Sequence, residues 1–212
     1  MKKTVLITGF APFGGETTNP SWQVVSQLQG WQPSPNFEVV AAELACAFAD
    51  SAKQLTQLIS AFNPCLVLAV GQSGGRTQIC LEKVAINLIE ARIPDNVGYQ
   101  PSGLAIAPDG PAAYFAKLPL KSMLQALHQA NIPAAISYTA GTFVCNSIFY
   151  QLCHRYPNLP SGFVHIPYAP SQTIHIGAAS LAIEIAVTAL KICIEVALQN
   201  PEDATYQTGR LD

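Results

Sequence analysis

Cys65-Leu-Val-Leu-Ala-Val70 is continuously apolar and is framed by turn residues, Asn63-Pro64 before it and Gly71-Gln-Ser-Gly-Gly75 after it. A run of this kind is the pattern of a strand covered on both faces, so the centre of a sheet is expected here. Upstream, Thr4 to Gly9 reads as a first buried strand, followed by the loop Phe10-Ala-Pro-Phe-Gly-Gly15. Asn19 as a cap with Pro20 in the first helical position then predicts a helix carrying Trp22, Val25 and Leu28 inward, stopped by Gly30. A second strand is expected over Phe37 to Leu44. It leads to a helix capped by Asp50, with Leu55, Leu58, Ile59 and Phe62 on one face, ended by Asn63-Pro64.

Downstream of the apolar run, a strand from Thr77 to about Leu88 would place Cys80, Glu82, Val84 and Ile86 on one face by its period of two. Glu90 to Pro111 is rich in turn signals (Pro94-Asp-Asn-Val-Gly98, Pro101-Ser-Gly103), and a connection of that length in a compact domain is usually functional or mobile. Next come a helix over about Pro119 to Ala130 and a strand over Ala134 to Tyr138. The stretch Tyr138 to Tyr150 then breaks at a glycine and launches a helix, beginning at Cys145, toward Tyr156-Pro157. A last strand, Phe163 to Ile166, precedes a helix expected over Gln172 to Gln199, with Glu184, Thr188, Lys191 and Glu195 on one polar stripe.

Strands alternating with helices predict an α/β fold, a three-layer α/β/α sandwich around a largely parallel or mixed sheet. The 212 residues, 50% hydrophobic and 11% charged, suit a single domain over the whole chain. In such folds, loops at the carboxyl ends of the strands build the site. The Cys145 turn, the Gly71 to Gly75 loop and the Phe10 to Gly15 loop are expected to meet there.

Composition narrows the function. A net charge of -2 with no basic stripe argues against nucleic acid as a partner. Met1-Lys-Lys before Thr4-Val-Leu-Ile7 has the start of a secretory signal, but Gly9, Pro12, Gly14 and Gly15 cut the apolar run short. The most apolar stretch, Ile174 to Leu198, is interrupted by His175, Glu184, Lys191 and Glu195, so no membrane span is expected. The six cysteines fall within apolar strand and helix patterns rather than a disulfide framework, which favours reduced thiols in the cytoplasm. No Cys-x-x-Cys or His-x-x-x-His spacing supports a metal, and no cofactor is expected. Gly71-Gln-Ser-Gly-Gly75-Arg76 matches neither the dinucleotide fingerprint nor the Walker loop.

Cys145 is the residue that offers chemistry. A thiol at a helix start feels the positive end of the helix dipole, which favours thiolate and makes the sulfur a nucleophile near neutral pH. Cysteine hydrolysis also needs an imidazole to move protons and a third group to fix its tautomer. His128 and His154 lie late in their helices, where a cation is favoured, and His175 sits near the start of the last helix; all three have ordinary structural readings. His165 closes a strand and should reach the same surface as Cys145, although a lone strand histidine is often only a satisfied core residue. Glu82, on a face of apolar strand positions, needs a partner if it is buried: a histidine, or an arginine, but not Lys83, which points to the opposite face. Cys46, Cys65, Cys80, Cys153 and Cys193 read as buried apolar side chains.

Several segments in order resemble one known family. Gly9-Phe-x-Pro-Phe-Gly-Gly15 with Asn19-Pro-Ser-Trp22, Gly75-Arg76 through Glu82 to Asn87, Arg92-x-Pro-Asp-Asn96, Ala140-Gly-Thr-Phe-Val-Cys-Asn146 and Gly162-Phe-Val-His165-x-Pro167 closely resemble pyroglutamyl peptidase I, the pyrrolidone carboxyl peptidases. The likeness runs from about Thr8 to Gln172. It implies a cytosolic cysteine peptidase that removes an N-terminal pyroglutamyl residue from peptides, with an α/β/α fold and a homotetrameric assembly. Carried over by position, it implies Cys145 as nucleophile, His165 as acid/base and Glu82 as the orienting group. Phe10, Phe13, Phe143 and Val144 would line the pyroglutamate pocket, with Asn19, Gln72 and Arg92 around it. Leu44-Ala-Cys-Ala-Phe48 departs from the family, in which many members have a proline after the leucine. A non-catalytic pyroglutamate-binding module and another Cys-His-Glu amidohydrolase, such as a glutaminase, are the alternative readings of the same residues.

Overall fold

In the computed structural model, which describes residues 2–200 and 202–209, the apolar run becomes β3 (Leu66–Gln72), with its first six residues buried. Met1, where the signal-like opening begins, and the last residues of the 1–212 span lie outside the described residues. The other strands are β1 (Lys3–Phe10), β2 (Phe37–Leu44), β4 (Ile79–Glu82), β5 (Val84–Ile86), β6 (Ala113–Phe115), β7 (Ala134–Ser137) and β8 (Ser161–Ile166). Six of them form one sheet in the order β2-β1-β3-β8-β4-β7. The first four run parallel, β4 pairs antiparallel with β8, and β7 runs parallel to β4, so the sheet is mixed. β5 and β6 form a separate antiparallel ribbon.

Alternation along each strand sorts its side chains between two helical layers. Val5, Ile7, Leu68, Val70, Leu81 and Val164 face α1 (Pro20–Val25), α3 (Leu120–Gln129) and α6 (Ile183–Gln199). Leu6, Phe10, Val67, Ala69 and Phe163 face α2 (Phe48–Phe62) and α4 (Val144–Arg155). No described helix is long and apolar enough to cross a membrane.

Four expectations change. The first helix keeps its Asn19 cap and Pro20 start but tightens after Val25 into a 3₁₀ turn, Ser26–Leu28. The second begins at Phe48 rather than after Asp50: Ala47 has no capping side chain, and the carboxylate of Asp95, 47 residues away, accepts the Phe48 N–H at 3.0 Å. Its end does match, with Asn63 turning left-handed at φ 42°.

The strand expected over Thr77 to Leu88 breaks at Lys83. There the N–H bonds Ser137 O and the carbonyl takes the Ala116 N–H, which turns the chain out of the sheet and into the β5–β6 ribbon. The shared face therefore holds for Cys80 and Glu82 within β4 and does not extend through Val84 and Ile86.

The long C-terminal helix is two helices, α5 (Pro170–Thr173) and α6, joined by an irregular segment. Gly177 adopts φ 61° there, and Leu181 N–H bonds Tyr168 O, folding the segment back and leaving Ile174 and Ile176 73% and 62% exposed. His175 lies in this segment and not on a helix.

Candidate active site

On β8, Phe163 and His165 fall on the face covered by α4. Antiparallel pairing sets Cys80 opposite His165 and Glu82 opposite Phe163. Glu82 is thus the diagonal neighbour of His165 on the same face, within side-chain reach. His165 Nδ1 lies 2.8 Å from Glu82 Oε1, with Glu82 fully buried and His165 4% exposed. An ionised carboxylate only accepts, so Nδ1 carries the hydrogen and Nε2 is the ring nitrogen left to exchange protons. The same oxygen, Oε1, is 3.6 Å from Arg76 Nη2. The acid therefore has both candidate partners, the histidine and an arginine, while Lys83 points to the Phe115 ring instead.

Cys145 occupies the second position of α4, after Val144, and Phe143 caps the helix without a side-chain bond. Its sulfur is pressed onto the sheet at Gly71: a Cβ there would come within 2.7 Å of Cys145 Sγ and 2.9 Å of Phe163 Cζ. Gly71 is itself the β3 partner of His165. A residue without a side chain is thus what lets the sulfur settle beside the histidine strand.

Burial pushes the Cys145 thiol well above its ordinary range, with Cys46 and the Glu82 charge acting in the same direction and the cysteine's own backbone N–H opposing them. The residue as a whole is only partly buried, but its sulfur is the enclosed part. The helix start favours thiolate while desolvation of the sulfur pushes the other way, which gives a neighbouring base a part in making it nucleophilic.

A cavity of about 380 Å³ opens above these groups, lined among others by Phe13, Gln72, Arg92, Phe143, Cys145 and His165. Phe143 packs edge-on against Phe48 at 5.2 Å and lies 6.3 Å from Phe13, which makes one side aromatic. Gln72 Oε1 accepts from Gln172 Nε2 at 3.2 Å. The three loops expected to converge do so through Phe13, Gln72 and Phe143.

Phe10, Asn19 and Val144 stand behind this cavity. Phe10 is buried against Phe163, and Val144 is wholly buried in the same core. Asn19 accepts from Ser21 N–H and Oγ and donates to Ala11 O, which ties the first helix to the loop that carries Phe13.

Three polar residues at the site went unassigned from sequence. Asn146, fully buried, accepts the Ile86 N–H and donates to Ile86 O and Leu88 O, fastening the start of α4 to β5. A polar residue directly after the nucleophile on an apolar helix was the available signal. Asp95 takes the N–H groups of Phe48, Val97 and Tyr99, and only its place in a turn pointed to it. Arg76 was visible as a lone cation after glycines.

Two further histidines have partners within the fold. His128 Nε2 donates to Ala134 O, and His154 Nδ1 is 2.8 Å from Tyr114 Oη. Burial pushes the thiols of Cys46, Cys153 and Cys193 up to about 12, 11 and 12, the charge of Asp95 adding at Cys46. All six cysteines are free, and among the described residues no cluster could hold a metal ion.

Comparison with known proteins bears on the chain as a whole. The sequence profile described as pyroglutamyl peptidase matches residues 3–200. The pyrrolidone-carboxylate peptidase of Escherichia fergusonii is 52% identical over 211 residues, 98% of each chain. That of Enterobacter sp. (strain 638) is 50% identical over 209 residues, 97% of each chain. The crystal structure of pyroglutamyl peptidase I from Bacillus amyloliquefaciens superposes with a TM-score of 0.93 at 45% identity, over 98% of this chain and 100% of that one.

Proposed function

The chain belongs to the pyroglutamyl peptidase family, and from that premise we propose that Cys145, His165 and Glu82 carry its reaction. It is a cysteine peptidase that removes the N-terminal pyroglutamyl residue of peptides. The observation that carries the residue roles is the buried Glu82–His165 pair at 2.8 Å, on the floor of a cavity that Cys145 also lines.

His165 Nε2 takes the Cys145 thiol proton as sulfur attacks the carbonyl that follows the pyroglutamyl ring. Glu82 holds the imidazole in the required tautomer and balances the imidazolium that forms. N–H groups at the start of α4 stabilise the oxyanion. The imidazolium then gives its proton to the leaving amine, and water, activated by the same imidazole, releases pyroglutamate from sulfur.

Pyroglutamate is a neutral lactam without an ammonium, so it is suited by the aromatic wall of Phe13 and Phe143 with amide partners such as Gln72, and Arg92 stands at the rim. Phe10, Asn19 and Val144 shape this slot from behind. The reaction requires no cofactor. The whole chain, 1–212, works as one peptidase domain. Free cysteines throughout support a cytoplasmic location, and a homotetramer follows from the family likeness, to be checked by sedimentation. The test is hydrolysis of a pyroglutamyl amide reporter: wild type is expected to cleave it and Cys145→Ala to be inert with an unchanged circular dichroism spectrum. Full activity of that variant would overturn the mechanism.

A further inference from the structure

Glu82 raises a question that the reaction itself leaves open. It is fully buried, its Oε2 meets no hydrogen-bond donor among the described residues, and both of its contacts fall on Oε1. A buried carboxylate needs a compensating charge. His165 supplies one only while it is protonated, which is part of each turnover. During the rest of the cycle the imidazole is neutral, and Lys83, the next cation along the chain, faces the Phe115 ring. Cys145, whose thiol also feels the acid, carries no positive charge in either state.

Arg76 is built to fill this gap. It lies in the loop between β3 and β4, with its side chain mostly enclosed. Nε donates to Ser73 Oγ at 3.1 Å, Nη1 to Ser137 Oγ at 3.0 Å and Nη2 to Thr139 O at 3.2 Å. The planar fork is thereby immobilised from both flanking segments, with Nη2 left 3.6 Å from Glu82 Oε1. Ser137 is the β7 partner of Glu82, so the same strand pair sets the register of the acid and of its cation.

We infer that Arg76 is a positioning residue for the reaction, placing a fixed positive charge beside the buried Glu82 carboxylate and holding its Oε1 toward His165 Nδ1. Arg76 also lines the cavity, but its fork is spent on Ser73, Ser137, Thr139 and the Glu82 carboxylate, so its effect on the reaction runs through Glu82. Since Oε1 is the one oxygen tethered among the described residues, losing Arg76 leaves the carboxylate on a single hinge, free to turn its oxygens away from the imidazole. The inference rests on the proposed roles of Glu82 and His165.

The test is steady-state kinetics on the pyroglutamyl amide reporter with Arg76→Gln, Arg76→Lys, Arg76→Ala and Ser137→Ala. Arg76→Gln is expected to lose about tenfold in kcat with KM within about threefold, since positioning of a proton-transfer group affects the chemical step. Arg76→Lys, which keeps the charge without the fork, is expected to recover part of that loss. Methylguanidinium added to Arg76→Ala at sub-denaturing concentration is expected to restore kcat. Ser137→Ala, which removes an anchor of the fork and keeps the charge, is expected to stay within about threefold of wild type.

A kcat for Arg76→Gln within twofold of wild type would overturn the inference, as would a loss carried entirely by KM. Equal loss in Ser137→Ala, with no response to methylguanidinium, would do the same by reducing Arg76 to a stitch between loops. Each variant is read against active wild-type enzyme. An inactive wild type would instead defeat the peptidase reading, and the two failures are therefore distinct.

Discussion

The two faces of the sheet are cut from the same strands, and they hold different chemistry. The face under α1, α3 and α6 is apolar, down to Cys193 on α6. The face under α2 and α4 carries the buried polar strand residues: Thr8, Glu82, Ser137, Ser161 and His165. Within β8 alone, Val164 and Ile166 join the first core while Phe163 and His165 join the second. The period-two alternation of a strand therefore gives one set of side chains wholly to a core, while the neighbouring set builds a second core and also carries the groups proposed for the reaction. Two thiols make the same point. Burial raises the proton affinity of both Cys193 and Cys145, and only Cys145 has an imidazole within its cavity.

This division can be broken from either side. His165→Ala, on the reactive face, should lower kcat/KM by about 10⁴-fold, the upper range for loss of an acid/base group, and should also lower the melting temperature, because it strips a buried partner from Glu82. Near-wild-type kcat/KM in the folded variant would remove His165 from the reaction. Leu190→Ala, on the apolar face and wholly buried, should cost about 2–5 kcal/mol in denaturant unfolding and leave kcat unchanged; a changed kcat at temperatures where the variant is folded would contradict the separation.

Gly71→Ala sharpens the comparison, because the added methyl would meet Cys145 Sγ and not the core of the other face. Displacing the sulfur should cut kcat about 10²-fold, and alkylation of Cys145 by iodoacetamide should change with it. The mildest effect is at Cys193, whose thiol rises from an ordinary 9.0 to about 12. Above pH 9 the unfolded chain loses a proton that the folded chain keeps, so this contribution is full below pH 9 and is lost as pH climbs to about 12. Cys193→Ala should flatten the alkaline decline in unfolding free energy by about 1.4 kcal/mol per pH unit. An unchanged slope would show that the buried thiol is not the source.

What was legible in the chain depended on distance. The strand at Cys65 to Val70, the Asn19-Pro20 helix start and the Asn63 stop rest on neighbouring residues, and these features are found within a residue or so. The start of α2 was hidden because its cap belongs to Asp95 in another loop. The break at Lys83 was hidden because Ser137 and Ala116 cause it. The continuous apolar pattern after Gln172 masked a turn that Gly177 makes possible.

At the site, Glu82 could be recognised as an acid in need of a partner. Its place beside His165 follows from β4 running opposite to β8, a direction that no local pattern encodes. Cys145 was legible from its helix start, but the burial that pushes its thiol up was not, since it depends on the sulfur packing onto the sheet at Gly71, far away in sequence.

The remote cap on α2 has one more consequence. A helix whose first N–H is held by its own N-cap residue can form its first turn alone, whereas the Phe48 amide is held by a carboxylate that also gathers Val97 and Tyr99. The opening turn of α2 and the loop around Asp95 should therefore exchange their amide hydrogens as one cooperative unit, rising and falling together even where the rest of α2 stays closed.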